Sequence, residues 1–333
     1  MLRIAIIGGG SWGTALGVVA GRAGHEVRLW SRNRAVVEEI NREHVNRAYL
    51  EAHALPETIR ATCEMSEAVS GAELVLLASP SHATRELLTG MLSFVEPEML
   101  FVSATKGIEI ETGKRISEVT REVLVQKFEP RFVCLSGPSF AQEVADGQPT
   151  AIVAASSRVD DSKLAQAVFS FQNLRVYTNA DVVGTELGGS VKNVMAVAAG
   201  MVYGLGLGTN SVAALITRGL AEMARLAQAQ GARLETLMGL AGLGDLVLTC
   251  TGSLSRNRYV GQELGRGRTL DEVLSGMREV AEGVKTTRAV KLLADKLAVG
   301  MPITEEVHAV LYEGKSARDA ADALMQRPLR GEF

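Results

Sequence analysis

The stretch Arg3-Ile-Ala-Ile-Ile-Gly-Gly-Gly-Ser-Trp-Gly-Thr-Ala-Leu-Gly17 decides the fold of this chain, because it joins an apolar run, a glycine cluster and a helix start. Gly8, Gly10 and Gly13 match the pattern G-x-G-x-x-G directly after a predicted strand, and Gly24 ends the predicted helix. The first glycine of this pattern permits a tight turn, the second lets backbone approach a pyrophosphate, and the third lets the helix pack closely on the strand. The stretch therefore predicts dinucleotide binding at the helix N-terminus, with an ordinary tight turn as the alternative interpretation.

Length, charge and cysteine content limit the classes of protein that the chain can belong to. Its 333 residues are long enough for about two domains. The formal net charge of -3 shows no basic excess, so we expect no nucleic-acid partner. Cys63, Cys134 and Cys250 lie far apart, which predicts no disulfide framework and favours a reducing, cytoplasmic compartment. The weakly polar run 194–208 is shorter than the ~20 residues that a membrane span needs, so we expect no membrane span.

Short apolar runs alternate with helix-length segments in the first half of the chain. After the first strand these runs are 26–30, 74–78, 100–103, 132–135, 151–154 and 174–177. Such alternation predicts an α/β fold with a mostly parallel, Rossmann-type sheet covered on both faces. Beyond residue 177 apolar residues recur every three to four positions, which predicts helices only. We therefore expect an NAD(P)-binding Rossmann-type domain over residues 1–185 and an all-helical C-terminal substrate and catalytic domain over residues 186–333.

Residues suited to chemistry follow the predicted strands and recur in the helical half. Lys106, after the strand 100–103, is suited to pair with phosphate, whereas an exposed loop lysine is the alternative. Lys192 stands in an otherwise small and apolar helical run. Burial of an unpaired ammonium there would lower its pKa, which suits a proton donor near neutral pH. The alternative is a lysine whose stem reaches solvent.

A serine, an arginine and an amide are consecutive in the helical half, at Ser255, Arg256 and Asn257. Together they offer a hydroxyl, a planar fork of donors and an amide, which favours binding of a phosphate. Helix capping by Ser255 is the alternative. The five histidines show no ligand spacing, so the sequence predicts no metal site.

Taken together, these segments resemble bacterial NAD(P)-dependent glycerol-3-phosphate dehydrogenases over nearly the whole chain. The resemblance rests on the segments 8–13, 104–107, 135–141, 191–193, 215–223, 242–245 and 255–258, and 280–283 fits a further family segment. It implies reversible hydride transfer between NAD(P)H and dihydroxyacetone phosphate, giving sn-glycerol 3-phosphate for phospholipid synthesis. It also implies a homodimer.

The resemblance also implies roles for individual residues. Lys192 falls on the family's catalytic lysine, which donates a proton to the carbonyl oxygen in reduction and accepts it in oxidation. The substrate-contacting positions of the family correspond to Lys106, Gly137, Ser139, Lys192, Asp245, Ser255, Arg256 and Asn257. Besides the three glycines of the turn, its cofactor-contacting positions correspond to Ser11, Trp12, Arg32, Tyr49, Lys106, Ala141, Arg256, Val280 and Glu282. The chain departs from the family at Glu51, where the family often has proline.

The end of the second strand bears on the choice between NAD and NADP. An NAD-restricted site usually places Asp or Glu there to bind the ribose 2′-OH. This chain instead has Trp30-Ser-Arg-Asn-Arg34, with a hydroxyl, two arginines and no acid. We therefore expect NADPH to be preferred to NADH, with Arg32 as the main contact to the 2′-phosphate. Solvated charges at the start of a polar helix are the alternative.

Two other functions stay open from the sequence. One is a related two-domain dehydrogenase that acts on a 3-hydroxy acid or a sugar acid, against which the segments 242–245 and 255–257 argue. The other is a non-catalytic NAD(P)H-binding sensor, which would not need a lysine in an apolar helix. An assay of NADPH oxidation with dihydroxyacetone phosphate separates all three.

Overall fold

The structure is a computed structural model that describes residues 1–277, 281–329 and 331–332. Val280, one of the predicted cofactor contacts, lies outside the described residues. The described strands are β1 (Arg3–Ile7), β2 (Glu26–Trp30), β3 (Val45–Asn46), β4 (Leu50–Ala54), β5 (Ile59–Thr62), β6 (Leu74–Leu77), β7 (Leu100–Ser103), β8 (Arg131–Ser136), β9 (Thr150–Ala155) and β10 (Leu174–Asn179).

Helices connect these strands and make up the rest of the chain. The described helices are α1 (Ser11–Arg22), α2 (Arg34–Glu43), α3 (Met65–Val69), α4 (Thr84–Met91), α5 (Ile116–Leu124), α6 (Ala141–Ala145), α7 (Val159–Phe169), α8 (Val182–Gly204), α9 (Thr209–Ala229), α10 (Leu234–Met238), α11 (Asp245–Thr251), α12 (Arg256–Gly265), α13 (Leu270–Ser275), α14 (Glu282–Lys296), α15 (Pro302–Tyr312) and α16 (Ala317–Met325). Of these helices, none combines the length and the apolar character that crossing a membrane requires.

Eight strands form one sheet in the order β10-β9-β8-β7-β6-β1-β2-β5. All neighbours are parallel except β8 and β9, which are antiparallel, so the mostly parallel sheet is confirmed. Chain order reverses between β1 and β6, which pair from Ile4 with Leu74 to Ile7 with Leu77. In sheets of this kind ligands bind beyond the carboxyl ends of the strands at such a reversal.

The apolar run of β1 is continuous because its side chains are buried on both faces of the sheet. Ile4 and Ile6 belong to the core on one face, and Ala5 and Ile7 belong to the core on the other. Alternate residues of a strand point to opposite faces, so a strand covered by helices on both sides reads as an uninterrupted apolar run. This explains why β1 is recognisable in the sequence as an apolar run.

The chain divides into two compact units. The first comprises Met1–Glu109 and Lys114–Glu186, and it contains every described strand. The second comprises Ile110–Gly113 and Leu187–Phe333, and its described part from residue 187 onward is helical, as predicted. Strand β5 and the antiparallel pair β3 and β4 are not predicted from the sequence, because these strands are short and carry no apolar run.

Within the second unit, glycines bring α8 and α12 into close contact. A Cβ atom on Gly200 would lie 2.0 Å from the carbonyl oxygen of Arg258, and one on Gly261 would lie 1.9 Å from that of Val197. Any larger residue would force the two helices apart. The backbone that begins α12 therefore lies directly against α8, which carries Lys192.

A buried carboxyl group caps α15 in the same unit. Glu222 of α9 accepts hydrogen bonds from the backbone N–H groups of Ile303 at 2.7 Å and Thr304 at 3.3 Å. Burial raises the pKa of Glu222 to about 7, although these two N–H groups favour the charged form. The unit therefore contains a carboxyl group that titrates near neutral pH.

Candidate active site

The glycine-rich turn between β1 and α1 has the backbone shape that its sequence predicts. Gly8 has a φ of +130°, and a Cβ atom there would lie 2.6 Å from the carbonyl oxygen of Ala78. A Cβ atom on Gly13 would lie 2.0 Å from the carbonyl oxygen of Gly8. Side chains are excluded at both positions, which makes the turn tight and starts α1 close to β1.

Gly10 has a different environment. No heavy atom lies within 4 Å of the position that its Cβ would take, and its backbone is extended, with φ of -78° and ψ of -178°. Neither strain nor packing therefore requires glycine there. Gly10 is the N-cap of α1, and the open space in front of this helix end suits a pyrophosphate, whose charge matches the partial positive charge of the helix. The turn therefore fits a dinucleotide cofactor.

Four other predicted cofactor contacts lie on elements of the first unit. Ser11 and Trp12 are the first residues of α1, and the buried indole Nε1 of Trp12 has no hydrogen-bond partner among the described residues. Ala141 is the first residue of α6, which packs against α1. Tyr49 lies in the turn between β3 and β4, half-buried against the core. These placements agree with a ligand near α1, and they do not test the individual contacts.

The end of β2 presents two exposed cations. Ser31 is buried and its hydroxyl accepts a hydrogen bond from the N–H of Asn33, which caps α2. Arg32 and Arg34 flank this cap and are exposed. A helix N-terminus carries partial positive charge, so two arginines beside it leave a local excess of positive charge. The arrangement favours an anionic group at this position.

The loops after β6, β7 and β8 meet at the carboxyl edge of the sheet. The Thr105 hydroxyl donates to the carbonyl oxygen of Ser79 at 2.9 Å. Lys106 Nζ donates to the carbonyl oxygen of Gly137 at 3.1 Å, and the Ser139 hydroxyl donates to the same oxygen at 3.1 Å. The structure therefore brings Lys106, Gly137 and Ser139 together, as we expect for residues that follow neighbouring strands.

In the helical unit, Lys192 is buried and paired with an acid. It is 5% exposed, which contradicts the alternative in which its stem reaches solvent. Its Nζ donates hydrogen bonds to the carboxylate of Asp245, which begins α11, and to the hydroxyl of Thr249 at 2.7 Å. The Thr249 hydroxyl itself donates to the carbonyl oxygen of Asp245 at 2.6 Å, so its lone pairs face the lysine. The ammonium is therefore held at a fixed place, and the Asp245 charge offsets the cost of its burial.

The neighbouring thiol is unsuited to act as a nucleophile. Burial raises the pKa of Cys250 to about 12, which keeps the thiol protonated. Among the described residues, no three His, Cys, Asp or Glu side chains are grouped so that they could hold a metal ion. The chemistry that the helical unit offers here rests on the lysine, its acid partner and nearby polar groups.

Asn257 joins α12 to two other helices. Its Nδ2 donates to the Oδ1 of Asn193 at 3.0 Å, and its Oδ1 accepts from the backbone N–H of Gly283 at 2.9 Å. Asn193 follows Lys192 on α8, and Gly283 lies in the first turn of α14. The amide of Asn257 therefore serves the packing of the helices, and one Nδ2 hydrogen is left for another acceptor.

The remaining predicted contacts lie at helix starts. Ser255 caps α12 by accepting from the N–H of Arg258 at 3.2 Å, as the capping interpretation predicts, and its hydroxyl hydrogen can still be donated. Arg256 is exposed at the first position of α12, and Glu282 is half-buried at the first position of α14. The structure thus places Ser255, Arg256 and Asn257 at one helix N-terminus, which suits an anion.

Two residues of this geometry were not identified from the sequence. Thr249 lies four residues after Asp245, which puts both on one face of a helix, so spacing offers a signal for it. Asn46 donates to the glycine-rich turn, and no local pattern indicates that contact. It is a long-range contact that only the folded chain makes.

Comparison with known proteins gives a consistent result over both units. The family model described as NAD-dependent glycerol-3-phosphate dehydrogenase N-terminus matches residues 3–162, and its C-terminus counterpart matches residues 181–322. The chain is 56% identical over 330 residues to a protein of Koribacter versatilis (strain Ellin345) named glycerol-3-phosphate dehydrogenase (NAD(P)+), with 98% of each chain covered. A protein of the same name from Myxococcus xanthus (strain DK1622) is 48% identical, with 100% of this chain and 99% of that one covered. The solved structure of glycerol-3-phosphate dehydrogenase from Coxiella burnetii matches with a TM-score of 0.94 at 42% identity, covering 98% of this chain and 99% of that one.

Proposed function

The chain belongs to the NAD-dependent glycerol-3-phosphate dehydrogenase family, and from this membership we propose the roles of its residues in the reaction. The protein is an oxidoreductase that interconverts dihydroxyacetone phosphate and sn-glycerol 3-phosphate, with NAD or NADP as cofactor. The product is a precursor of phospholipids, and supplying this precursor is the usual role of the activity. The bound cofactor supplies or accepts the hydride at the carbonyl carbon of the substrate.

Lys192 is the general acid in reduction and the general base in oxidation. The reduction adds a hydride to the carbonyl carbon and a proton to its oxygen, and the Lys192 ammonium donates that proton. A buried cation close to the developing oxygen anion also stabilises the transition state. The observation that carries this role is the hydrogen bonding of Lys192 Nζ to Asp245 and Thr249, which orients the ammonium inside the helical unit.

The substrate phosphate is bound through Arg256, with Ser255 and Asn257 beside it. Their common position at the N-terminus of α12, together with the planar donor fork of arginine, supports this role. In the first unit, Lys106, Gly137 and Ser139 are the proposed substrate contacts. The hydrogen bonds that join the last three residues support their acting as one group.

The cofactor is held by the first unit, which corresponds to the predicted domain 1–185, and residues 186–333 carry the catalytic lysine. Open space at Gly10 supports binding of the pyrophosphate at the turn. Exposed Arg32 at the end of β2 supports a preference for NADPH over NADH. The other proposed cofactor contacts are Ser11, Trp12, Tyr49, Lys106, Ala141, Arg256, Val280 and Glu282.

We also propose that the protein is cytoplasmic and forms a homodimer. Cys63, Cys134 and Cys250 are free thiols, which fits a reducing compartment. The dimer is an expectation from the family. Size-exclusion chromatography with light scattering tests it, because a homodimer has twice the mass of one chain.

Absorbance at 340 nm tests the reaction directly. The purified protein should oxidise NADPH when dihydroxyacetone phosphate is added and reduce NADP with sn-glycerol 3-phosphate. Activity with a 3-oxo acid instead would identify the related dehydrogenase class. Binding of NADPH without turnover of any of these substrates would support the sensor.

A further inference from the structure

Asn46, the last residue of β3, contacts the glycine-rich turn through its side chain. It is fully buried, and its Nδ2 donates to the carbonyl oxygen of Gly9 at 3.0 Å and to the hydroxyl oxygen of Thr14 at 2.9 Å. Gly9 lies inside the turn and Thr14 lies in the first turns of α1. One amide hydrogen therefore holds the backbone of the turn that we assign to the pyrophosphate, and the other holds the Thr14 side chain at the start of α1.

The chemistry of these partners fixes the orientation of the amide. The Gly9 carbonyl can only accept a hydrogen bond, so the NH2 group of Asn46 must face it. The Oδ1 atom of Asn46 is buried and has no hydrogen-bond partner among the described residues. Aspartate has the same shape but, when ionised, can only accept, and it would set a negative charge against the Gly9 carbonyl oxygen. The position therefore needs an amide donor.

The backbone of Asn46 also holds the residue proposed to contact the cofactor from the hairpin. The carbonyl oxygen of Asn46 accepts from the N–H of Tyr49 at 3.2 Å, and Asn46 pairs with Leu50 across the hairpin of β3 and β4. One buried residue therefore connects the glycine-rich turn to the loop that carries Tyr49. Its contacts to Gly9 and Thr14 span 37 and 32 residues of sequence.

We propose that Asn46 is a positioning residue for the cofactor pyrophosphate. Its side chain sets the direction of the Gly9 carbonyl group and thereby points the Gly10 N–H, which lies on the opposite side of the same planar peptide, and the first N–H groups of α1 toward the phosphates. Its backbone holds the Tyr49 loop beside the same turn. The proposal rests on the proposed function, because it requires that NAD(P)H binds at this turn.

The test uses the variant Asn46→Asp. It compares the variant with wild type in binding ligands that contain a pyrophosphate and ligands that lack one. Loss of a hydrogen bond of about 1.4 kcal/mol corresponds to about a tenfold change in affinity, and we expect at least that increase in Kd for both NADPH and NADH. Inhibition by ADP-ribose, which contains the pyrophosphate, should weaken equally, whereas inhibition by adenosine should not change. The KM for dihydroxyacetone phosphate at saturating NADPH should also stay at the wild-type value.

Asn41→Asp is the matched control. Asn41 of α2 also bonds to backbone through both amide atoms, donating to the carbonyl oxygen of Ala61 and accepting from its N–H, each at 2.8 Å. Both of these bonds join it to β5 and not to the glycine-rich turn, so its replacement should lower Tm without raising the Kd for NADPH. If Asn46→Asp does not fold, Thr14→Val is the variant that tests the proposal. It removes one of the two hydrogen bonds with little change in shape, and we expect a several-fold rise in the Kd for NADPH.

The following outcomes would contradict the positioning role of Asn46. An unchanged Kd for NADPH in folded Asn46→Asp, or in Thr14→Val where that variant decides, shows that the side chain does not position the turn. Equal weakening of adenosine and ADP-ribose, or an equal rise in Kd for Asn41→Asp, shows a general loss of structure instead. Wild-type protein that fails to bind NAD(P)H contradicts the proposed function itself, which distinguishes the two failures.

Discussion

Lys192 donates a hydrogen bond to the carboxylate of Asp245, a partner 53 residues away in the chain, inside the helical unit. Both side chains are almost fully buried, so the charge of each offsets part of the cost of burying the other. Removing one partner of a buried ion pair leaves an uncompensated charge, which costs about 3–5 kcal/mol. The pair therefore links the proposed proton donor to the stability of the unit.

We expect Lys192→Ala to lower kcat by about 10²–10⁴, the usual contribution of a general acid or base. The same variant should lower Tm, because the buried Asp245 carboxylate loses its hydrogen bond to the Lys192 ammonium. The double variant Lys192→Ala with Asp245→Asn should recover part of the Tm and none of the kcat. A folded Lys192→Ala enzyme with nearly normal kcat would rule out the proton-transfer role.

Arg256→Lys keeps the charge at the N-terminus of α12 and removes the planar fork, which can make two parallel hydrogen bonds. We expect kcat/KM for dihydroxyacetone phosphate to fall about 10–100-fold, since a charge-assisted hydrogen bond contributes about 1.5–3 kcal/mol. The comparison substrate is dihydroxyacetone, which has no phosphate. If kcat/KM falls equally for both substrates, Arg256 does not bind the phosphate.

Arg32→Ala should raise the KM for NADPH about 10–150-fold, the change expected from losing one charge-assisted contact to the 2′-phosphate. The KM for NADH should stay close to its wild-type value, because NADH lacks that phosphate. Arg60→Ala, which removes another exposed arginine of the same unit, is the control for a general charge effect. Equal changes for both cofactors, or a wild-type enzyme inactive with NADPH, would show that Arg32 does not select NADP.

Gly10→Ala tests the open space at the turn. An added methyl group meets no protein atom within 4 Å, so we expect only the loss of about 1 kcal/mol that follows from the weaker N-cap. The methyl group would occupy the space proposed for the pyrophosphate, so the Kd for NADPH should rise. Gly13→Ala is the contrasting variant and should lower Tm, because its Cβ would lie 2.0 Å from the Gly8 carbonyl oxygen. Normal NADPH binding by Gly10→Ala would place the cofactor elsewhere.

The cap of α15 predicts a pH-dependent stability. The pKa of Glu222 is about 7 in the folded chain against 4.5 as its ordinary value, so the folded state holds the proton where the unfolded state has lost it. The free energy of unfolding should therefore fall as pH rises from about 4.5 to 7, by up to about 3 kcal/mol from this group. Urea unfolding at pH 5 and pH 8 measures the fall in wild type.

Glu222→Gln should lose this part of the pH dependence, because the amide does not titrate. Glu235→Gln removes an exposed carboxyl group from α10 of the same unit and should keep it. If Glu222→Gln and wild type show the same pH dependence of unfolding, the carboxyl group titrates at its ordinary pKa.

The order of residue types along the chain is enough to predict the α/β class, the mostly parallel sheet, the helical second half and the glycine-rich turn. These features depend on local chemistry: apolar runs covered on both faces, helical spacing of apolar residues, and glycines where the structure has no room for a Cβ at positions 8 and 13. The family could be recognised from the sequence because its motifs are short continuous segments. Lys192 was identified as the single cation of an apolar helix.

The contacts between distant side chains, in contrast, are known only from the folded structure. Lys192 donates hydrogen bonds to Asp245 and Thr249, which are 53 and 57 residues away in the sequence. Asn46 donates to Gly9, which is 37 residues away. Such contacts depend on how helices and loops pack, and residue type and spacing along the chain do not encode that packing. Strand β5 is also not predicted from its sequence. Its place in the sheet comes from pairing with β2, which is likewise a contact between distant parts of the chain.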